Sequence, residues 1–220
     1  EGKSASISGL ALPDERTVQA VVVGADPRSD LAVVKVNAPG LTPAEMGDSG
    51  KLEIGEWVIA VGNPLGLDNT VSVGVVSSLN RTLETGGPGL LVDAIQTDAA
   101  INRGNSGGAL AKALGHVIGI NSAIVSDTGG NVGLGFAIPI NRAKRVVKDI
   151  LQFGRVKYGV LGVSFYRQPG LLQLEAPRSQ LREATGAEPP RAGVIVRSVD
   201  PAGGASGAKI GPLDVIIEVD

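Results

Sequence analysis

Short runs in which apolar residues cluster or alternate with polar ones recur along the chain, each bounded by Gly, Pro, Asn or Asp. Val18 to Val23, Leu31 to Val36, Trp57 to Val61, Val71 to Ser77, Val117 to Ile120 and Gly133 to Ile138 all show this pattern. Runs of that length with that punctuation predict antiparallel strands of a barrel or a sandwich. The period changes after Pro139. Ala143, Val146, Val147, Ile150 and Leu151 fall on one face at helical spacing, with Asn141 placed to cap the start and Gly154 after the last turn. This predicts one clear helix, standing as a bridge between the strand-rich region and the C-terminal residues.

Composition sharpens the class. The chain has 220 residues, of which 32 are glycine and only 3% aromatic, so Val, Ile, Leu and Ala must supply the core. That length suits one or two domains. The net charge of −2 is dispersed, with no basic stripe for nucleic acid. No apolar run reaches the roughly 18 residues that a membrane span needs. Without cysteine there is no disulfide framework or thiolate metal site, and one histidine among scattered acids argues against zinc. No cofactor and no metal are expected.

The segment Asp98-Ala99-Ala100-Ile101-Asn102-Arg103-Gly104-Asn105-Ser106-Gly107-Gly108-Ala109-Leu110 carries the candidate chemistry. A serine attacks a carbonyl only when its Oγ stands clear of the backbone and nearby N–H groups converge on the developing oxyanion. Glycines at 104, 107 and 108 permit both, and the N–H groups of Gly104 and Ser106 are the candidate oxyanion hole. An incidental serine in a tight glycine turn is the plain alternative.

The same residues satisfy the G-x-S-x-G elbow of α/β-hydrolases, and chain order separates the two readings. The elbow needs an acid and then a histidine after the serine, whereas the chymotrypsin order is His, Asp, Ser. The single histidine, His116, comes after Ser106 with no acid between them, in a stretch that predicts a turn entering a strand. An exposed turn position is therefore expected for His116. For the His, Asp, Ser order the best acid is Asp30, where a turn enters the apolar run Leu31 to Val36; an Asx-type turn without chemistry is its alternative.

Several ordered segments together resemble the HtrA/Deg family of trypsin-like serine proteases. They are Gly24 to Val36, Gly62 to Leu67, Ile95 to Asn102, the Gly104 to Gly108 loop, Ile118 to Asn121 and Gly133 to Pro139. The resemblance implies a mainly β, chymotrypsin-like double β-barrel, incomplete at its start, then a helix and a partial PDZ domain. The implied division is 1–140 for the protease domain, 141–157 for the connecting helix and 158–220 for the PDZ domain. It implies Ser106 as nucleophile, Asp30 as the orienting acid, and a catalytic histidine in an Asn-His-Val motif at or just before Glu1, outside this chain. These 220 residues alone are then expected to be inert.

The resemblance also implies a substrate pocket walled by Ile101, Asn102, Arg103, Asn105, Ile118, Ile120 and Asn121. With no acid there, small or medium aliphatic side chains are expected at the cleaved position. Arg81 matches the arginine of the family's regulatory loop, which here runs on to Gly89. Tyr158 to Val163 resembles a PDZ carboxylate loop, in which the amides of Leu161, Gly162 and Val163 receive a chain terminus. Gly193 to Val196 and Asp214 to Val219 resemble later PDZ strands. The chain stops within that domain, so weak or lost peptide capture is expected. Ala109 and Arg103 stand where proline is common in the family, which loosens the serine loop.

The expected function is a PDZ-regulated serine endopeptidase that degrades unfolded or damaged proteins. It would be a homotrimer or larger in the complete protein, in the bacterial periplasm or envelope or, alternatively, a chloroplast thylakoid lumen. A non-catalytic chaperone of the same fold and an unrelated serine hydrolase of small esters are the alternatives.

Overall fold

A closed barrel of six strands dominates the first part of the computed structural model, which describes residues 6–218 apart from 13, 15, 64–69, 85–89, 103, 125–132 and 167–169. The chain divides into two compact units, Glu1–Lys157 and Tyr158–Asp220. In the first unit, β1 (Ser6–Ala11), β2 (Thr17–Asp26) and β3 (Leu31–Val36) form an antiparallel sheet in sequence order. The barrel comes next, from β4 (Trp57–Gly62), β5 (Thr70–Glu84), β6 (Leu90–Thr97), β7 (Ala109–Lys112), β8 (Val117–Ile124) and β9 (Gly135–Pro139). Around its wall the order is β4-β5-β6-β9-β8-β7.

Alternation explains which face is inside. Val58 and Ala60 of β4 are fully buried while Trp57, one residue away, is 66% exposed. Val58, Ala60, Val76, Ile95, Ile101, Leu110 and Ile118 meet in one core cluster. Small aliphatic side chains suffice because a narrow barrel leaves little interior to fill. β5 turns a corner of it: residues 70–75 pair with β4, and from Val76 onward the partner is β6. Three irregularities in the β5–β6 register, with Asn80 at φ 57°, bend the strand along this second half.

The expected strands are all present, Leu31–Val36 with its ends unchanged and the others with shifted ends. Among the described residues of the first unit, three others escaped the pattern. β1 contains a glycine at φ 91°, β6 is interrupted by Asp93 at φ 58°, and β7 is alanine-rich and four residues long. The predicted helix is α1 (Ile140–Phe153), closed by Gly154 in the left-handed conformation. Asn141 does not cap it. Pro139 occupies the cap position, and the Asn141 amide donates to Ser49 Oγ at 3.1 Å. The Asn141 side chain donates to Asp48 Oδ1 at 2.8 Å, which holds that carboxyl below its ordinary range, aided by the Gly50 amide. The first turn of α1 is thus capped from the 48–51 turn rather than from its own side chain. Ile150 on its buried face lies so close to β2 that a Cβ on Gly24 would meet Ile150 Cγ2 at 2.7 Å.

The second unit has β10 (Val163–Phe165), α2 (Glu175–Thr185), β11 (Val194–Val199), α3 (Gly204–Gly207) and β12 (Val215–Ile216). Its strands form an antiparallel sheet ordered β10-β11-β12. Leu172, Leu181 and Ile195 make its small core. Glu188 accepts from Arg182 and Arg178, and the Arg182 hydrogen bond is the main reason its carboxyl lies below the ordinary range.

Candidate active site

The loop between β6 and β7 is suspended from β5. The Val75 amide donates to Asp98 Oδ1 at 2.7 Å and Ser72 Oγ donates to the Ala100 carbonyl at 2.8 Å. Gly74 must lack a side chain, because a Cβ there would meet the Ala99 nitrogen at 2.3 Å. Further on, the Asn105 amide donates to Asn102 O at 3.0 Å and its side-chain Nδ2 to Ala100 O at 3.2 Å, folding the loop on itself. After the serine, Gly107 N–H donates to Asn121 O at 2.8 Å and Asn121 N–H to Gly108 O at 2.9 Å. Gly104 at φ 101° and Gly107 at φ 85° take backbone conformations that other residues rarely adopt. Held on both sides, Ser106 stands exposed at the crest. Among the described residues, the amides of Gly104 and Ser106 donate to no acceptor, which leaves both available to an oxyanion.

Asp30 comes from the open sheet, at the end of the turn joining β2 to β3, with φ 56°. Its Oδ2 accepts from Ser122 Oγ at 2.9 Å. Ser106 Oγ in turn donates to the Ser122 carbonyl at 2.9 Å. One residue of β8 therefore connects the expected nucleophile to the expected acid. The sequence did not single out Ser122. Its only signal is a small hydroxyl residue directly after Asn121, and its link to Asp30 spans 92 positions, beyond any local pattern.

A carbonyl holds the Ser106 proton but is too weak a base to remove it, so this arrangement orients the hydroxyl without activating it. His116 is not the base here. It stands after the turn that ends β7, with Nε2 at 3.4 Å from Glu45 Oε2. β7 begins beside the serine loop, so His116 lies a whole strand away, roughly 13 Å at about 3.4 Å per residue.

The structure revises part of the expected pocket. Ile101 and Ile118 are 1% and 0% exposed and belong to the barrel core, where their side chains present nothing to a peptide. Asn105 and Asn121 are also buried, and both are structural: Asn121 Nδ2 donates to Val61 O and to Ala109 O, each at 3.2 Å. Ile120 is half-buried against Leu91, Ala94, Phe136 and Ile138. Asn102 is exposed, while Arg103 and residues 125–132 lie outside the described residues. Arg81, on β5, donates through Nε to Gln96 Oε1 at 3.1 Å; residues 85–89 of its loop lie outside the described residues.

In the second unit, Leu161, Gly162 and Val163 line a cleft with Ser164, Ser198 and Asp200. The Leu161 and Gly162 carbonyls accept from the Ala205 and Asp200 amides at 2.8 and 2.7 Å, fixing the loop from behind. Gly162, at φ 70°, lies against Gly203 so closely that a Cβ on it would meet Gly203 Cα at 2.7 Å. Among the described residues, no group of three His, Asp or Glu side chains is arranged to hold a metal. No helix there is long and apolar enough to cross a membrane.

Residues 2–120 match the model of the trypsin-like peptidase domain. The chain is 42% identical over 219 residues to a putative serine protease, HhoB, of Synechocystis, covering 99% of this chain and 51% of that protein. It is 47% identical over 165 residues to the periplasmic serine endoprotease DegP of Salmonella typhimurium, covering 73% of this chain and 34% of the relative. The solved structure of the HtrA-type protease AlgW with a decapeptide superposes with a TM-score of 0.75 at 40% identity, covering 94% of this chain and 60% of AlgW. The chain thus spans about half or less of the curated relatives named here.

Proposed function

Because the chain belongs to the HtrA/Deg family of trypsin-like serine proteases, with the chymotrypsin-like fold, we propose that the complete protein is a serine endopeptidase acting on unfolded or damaged polypeptides. The observation that carries this reading is the Ser106–Ser122–Asp30 connection beside two amides available as donors. Ser106 Oγ is the nucleophile, and the Gly104 and Ser106 amides stabilise the tetrahedral oxyanion. Asp30 orients the base and stabilises its protonated form. We place that base in a part of the protein outside residues 1–220. Once it accepts the Ser106 proton, the hydroxyl leaves the Ser122 carbonyl and attacks the scissile bond. These residues alone are then inert.

Substrate preference is inferred from residues 101–105 and 118–122, none of which is an acid: small or medium aliphatic side chains at the cleaved position. Residues 158–220 are proposed as a partial PDZ domain. The fixed Leu161–Gly162–Val163 loop supports capture of a C-terminal carboxylate in the complete protein. Arg81, tied to Gln96 next to the strand end that leads into the serine loop, supports a regulatory role in passing on peptide occupancy. Trimeric or larger assembly in the complete protein is proposed from family membership alone. A periplasmic or envelope location is supported by relatives named as periplasmic.

The test is cleavage of an unfolded protein by the complete protein beside its Ser106→Ala variant. Cleavage abolished by the substitution, about 10⁶-fold, is the expected result. A folded protein that cleaves nothing, with or without Ser106, would overturn the reading in favour of a binding or chaperone role. Cleavage after basic residues would overturn the substrate preference.

A further inference from the structure

The turn that delivers Asp30 contains a second acid, and that acid is buried. Asp26 ends β2 directly opposite Leu31 and is only 7% exposed. Its Oδ2 accepts from the Ser29 amide at 3.1 Å and also from Ser29 Oγ. Its carbonyl accepts from the same amide at 3.2 Å and the same hydroxyl at 3.4 Å. Ser29 is itself 5% exposed. Pro27 presets the first bend of the turn. Burying a carboxylate is a costly way to close a turn that Gly or Asn would close at the surface. The cost is understandable if the turn must hold something.

What it holds is Asp30. On one side is Ser29, fixed by Asp26; on the other is Leu31, packed against Leu91, Ala94, Phe136 and Ile138 of the barrel. Between these two fixed points Asp30 adopts φ 56°, a left-handed conformation that aspartate tolerates better than most side chains but that still needs support from its neighbours to persist as the single state. Its carboxylate then reaches Ser122 Oγ at 2.9 Å, although Asp30 is exposed and would otherwise sample several rotamers.

We propose that Asp26 is a positioning residue for the reaction: through Ser29 it locks Asp30 in the left-handed conformation from which the carboxylate meets Ser122 and the incoming base. Asp26 touches neither substrate nor nucleophile. The proposal rests on the protease reading for its kinetic part, whereas its geometric part stands without it.

The experiment compares Asp26→Ala, Asp26→Asn and Ser29→Ala in the complete protein. A misaligned acid lowers kcat while leaving peptide binding alone, so Asp26→Ala should lose about 10- to 100-fold in kcat with KM little changed. Asp30 also raises the pKa of the base by stabilising its protonated form. Loosening Asp30 lowers that pKa, and the acid limb of the kcat/KM profile moves to lower pH. Ser29→Ala should shift both in the same direction by less, and Asp26→Asn should fall between wild type and Asp26→Ala.

A loss of rate that only tracks the folded fraction, with the pH profile unmoved, would overturn the proposal. The structure of the Ser29→Ala or Asp26→Asn protein gives the second readout. Residue 30 should leave the left-handed region and its hydrogen bond to Ser122 should open. Retention of both in each variant would overturn the proposal even if the protein proved not to be a protease, a question that fluorophosphonate labelling of wild-type Ser106 answers separately.

Discussion

The closed barrel and the open sheet of the first unit are built from the same residue types and held together in different ways. In the barrel, every strand has two neighbours, and Val58, Ala60, Val76 and Leu110 are fully enclosed. In the sheet, β1 and β3 each pair on one side only among the described residues, and Val21, Val23 and Val34 remain 45%, 38% and 41% exposed. The candidate site draws one partner from each: Ser106 from a loop pinned to barrel strands, Asp30 from a turn of the sheet. A nucleophile can rely on the barrel for its precision. An acid on a half-covered sheet needs local fixings, which here are the Asp26–Ser29 turn, the Leu31 contact and the hydroxyl of Ser122.

Substitutions can break that contrast or sharpen it. Leu110→Ala, in the centre of the barrel core, should cost about 2–5 kcal/mol in a denaturant titration; a loss as small as that of an exposed valine would erase the difference between the regions. Gly24→Ala tests the seam where β2 lies against α1. The added Cβ must displace Ile150, so a loss of about 1–3 kcal/mol is expected. Hydrogen exchange should quicken over residues 20–36 while the amides of the barrel strands stay protected.

Val34→Ala, on the exposed side of the sheet, should cost less than about 1 kcal/mol. The smallest effect is one of pH. Asp48 is held below its ordinary value by Asn141, so the linked stability is complete above the ordinary aspartate range, near pH 4. It is lost as pH falls through the lowered value. The stability difference between wild type and Asn141→Ala should therefore narrow on acidification across that window; a difference constant with pH would remove Asp48 from the account.

The sequence pattern disclosed strands where a short apolar run follows turn residues, as in Leu31–Val36, which coincides with β3. It failed where local conformation departs from the ideal: at Asp93, whose left-handed backbone interrupts β6, and in β7, whose alanines look neither buried nor exposed. The helix was legible from its period, but its cap was not, because Ser49 reaches it from 92 positions away. In the site, Ser106 and Asp30 were legible from glycine spacing, chain order and family resemblance. Ser122, Asp26 and Ser29 were not, since each acts through a contact made by folding. Asn105 and Asn121 were expected in the pocket from family resemblance, Asn105 directly before the candidate nucleophile Ser106 and Asn121 in the segment Ile118 to Asn121. Their burial shows that their amides are spent on the backbone of the loop and of neighbouring strands.

That last arrangement separates two kinds of selection acting on adjacent positions. A population of random variants kept only for remaining folded and soluble would retain Asn105 and Asn121, while Ser106, Asp30 and Ser122 would drift. Under the proposed function, a population of the complete protein kept for hydrolysis would retain all five. Deep sequencing of the two populations would then divide the neighbours Asn105 and Ser106, and likewise Asn121 and Ser122, into architecture and chemistry at single-residue resolution.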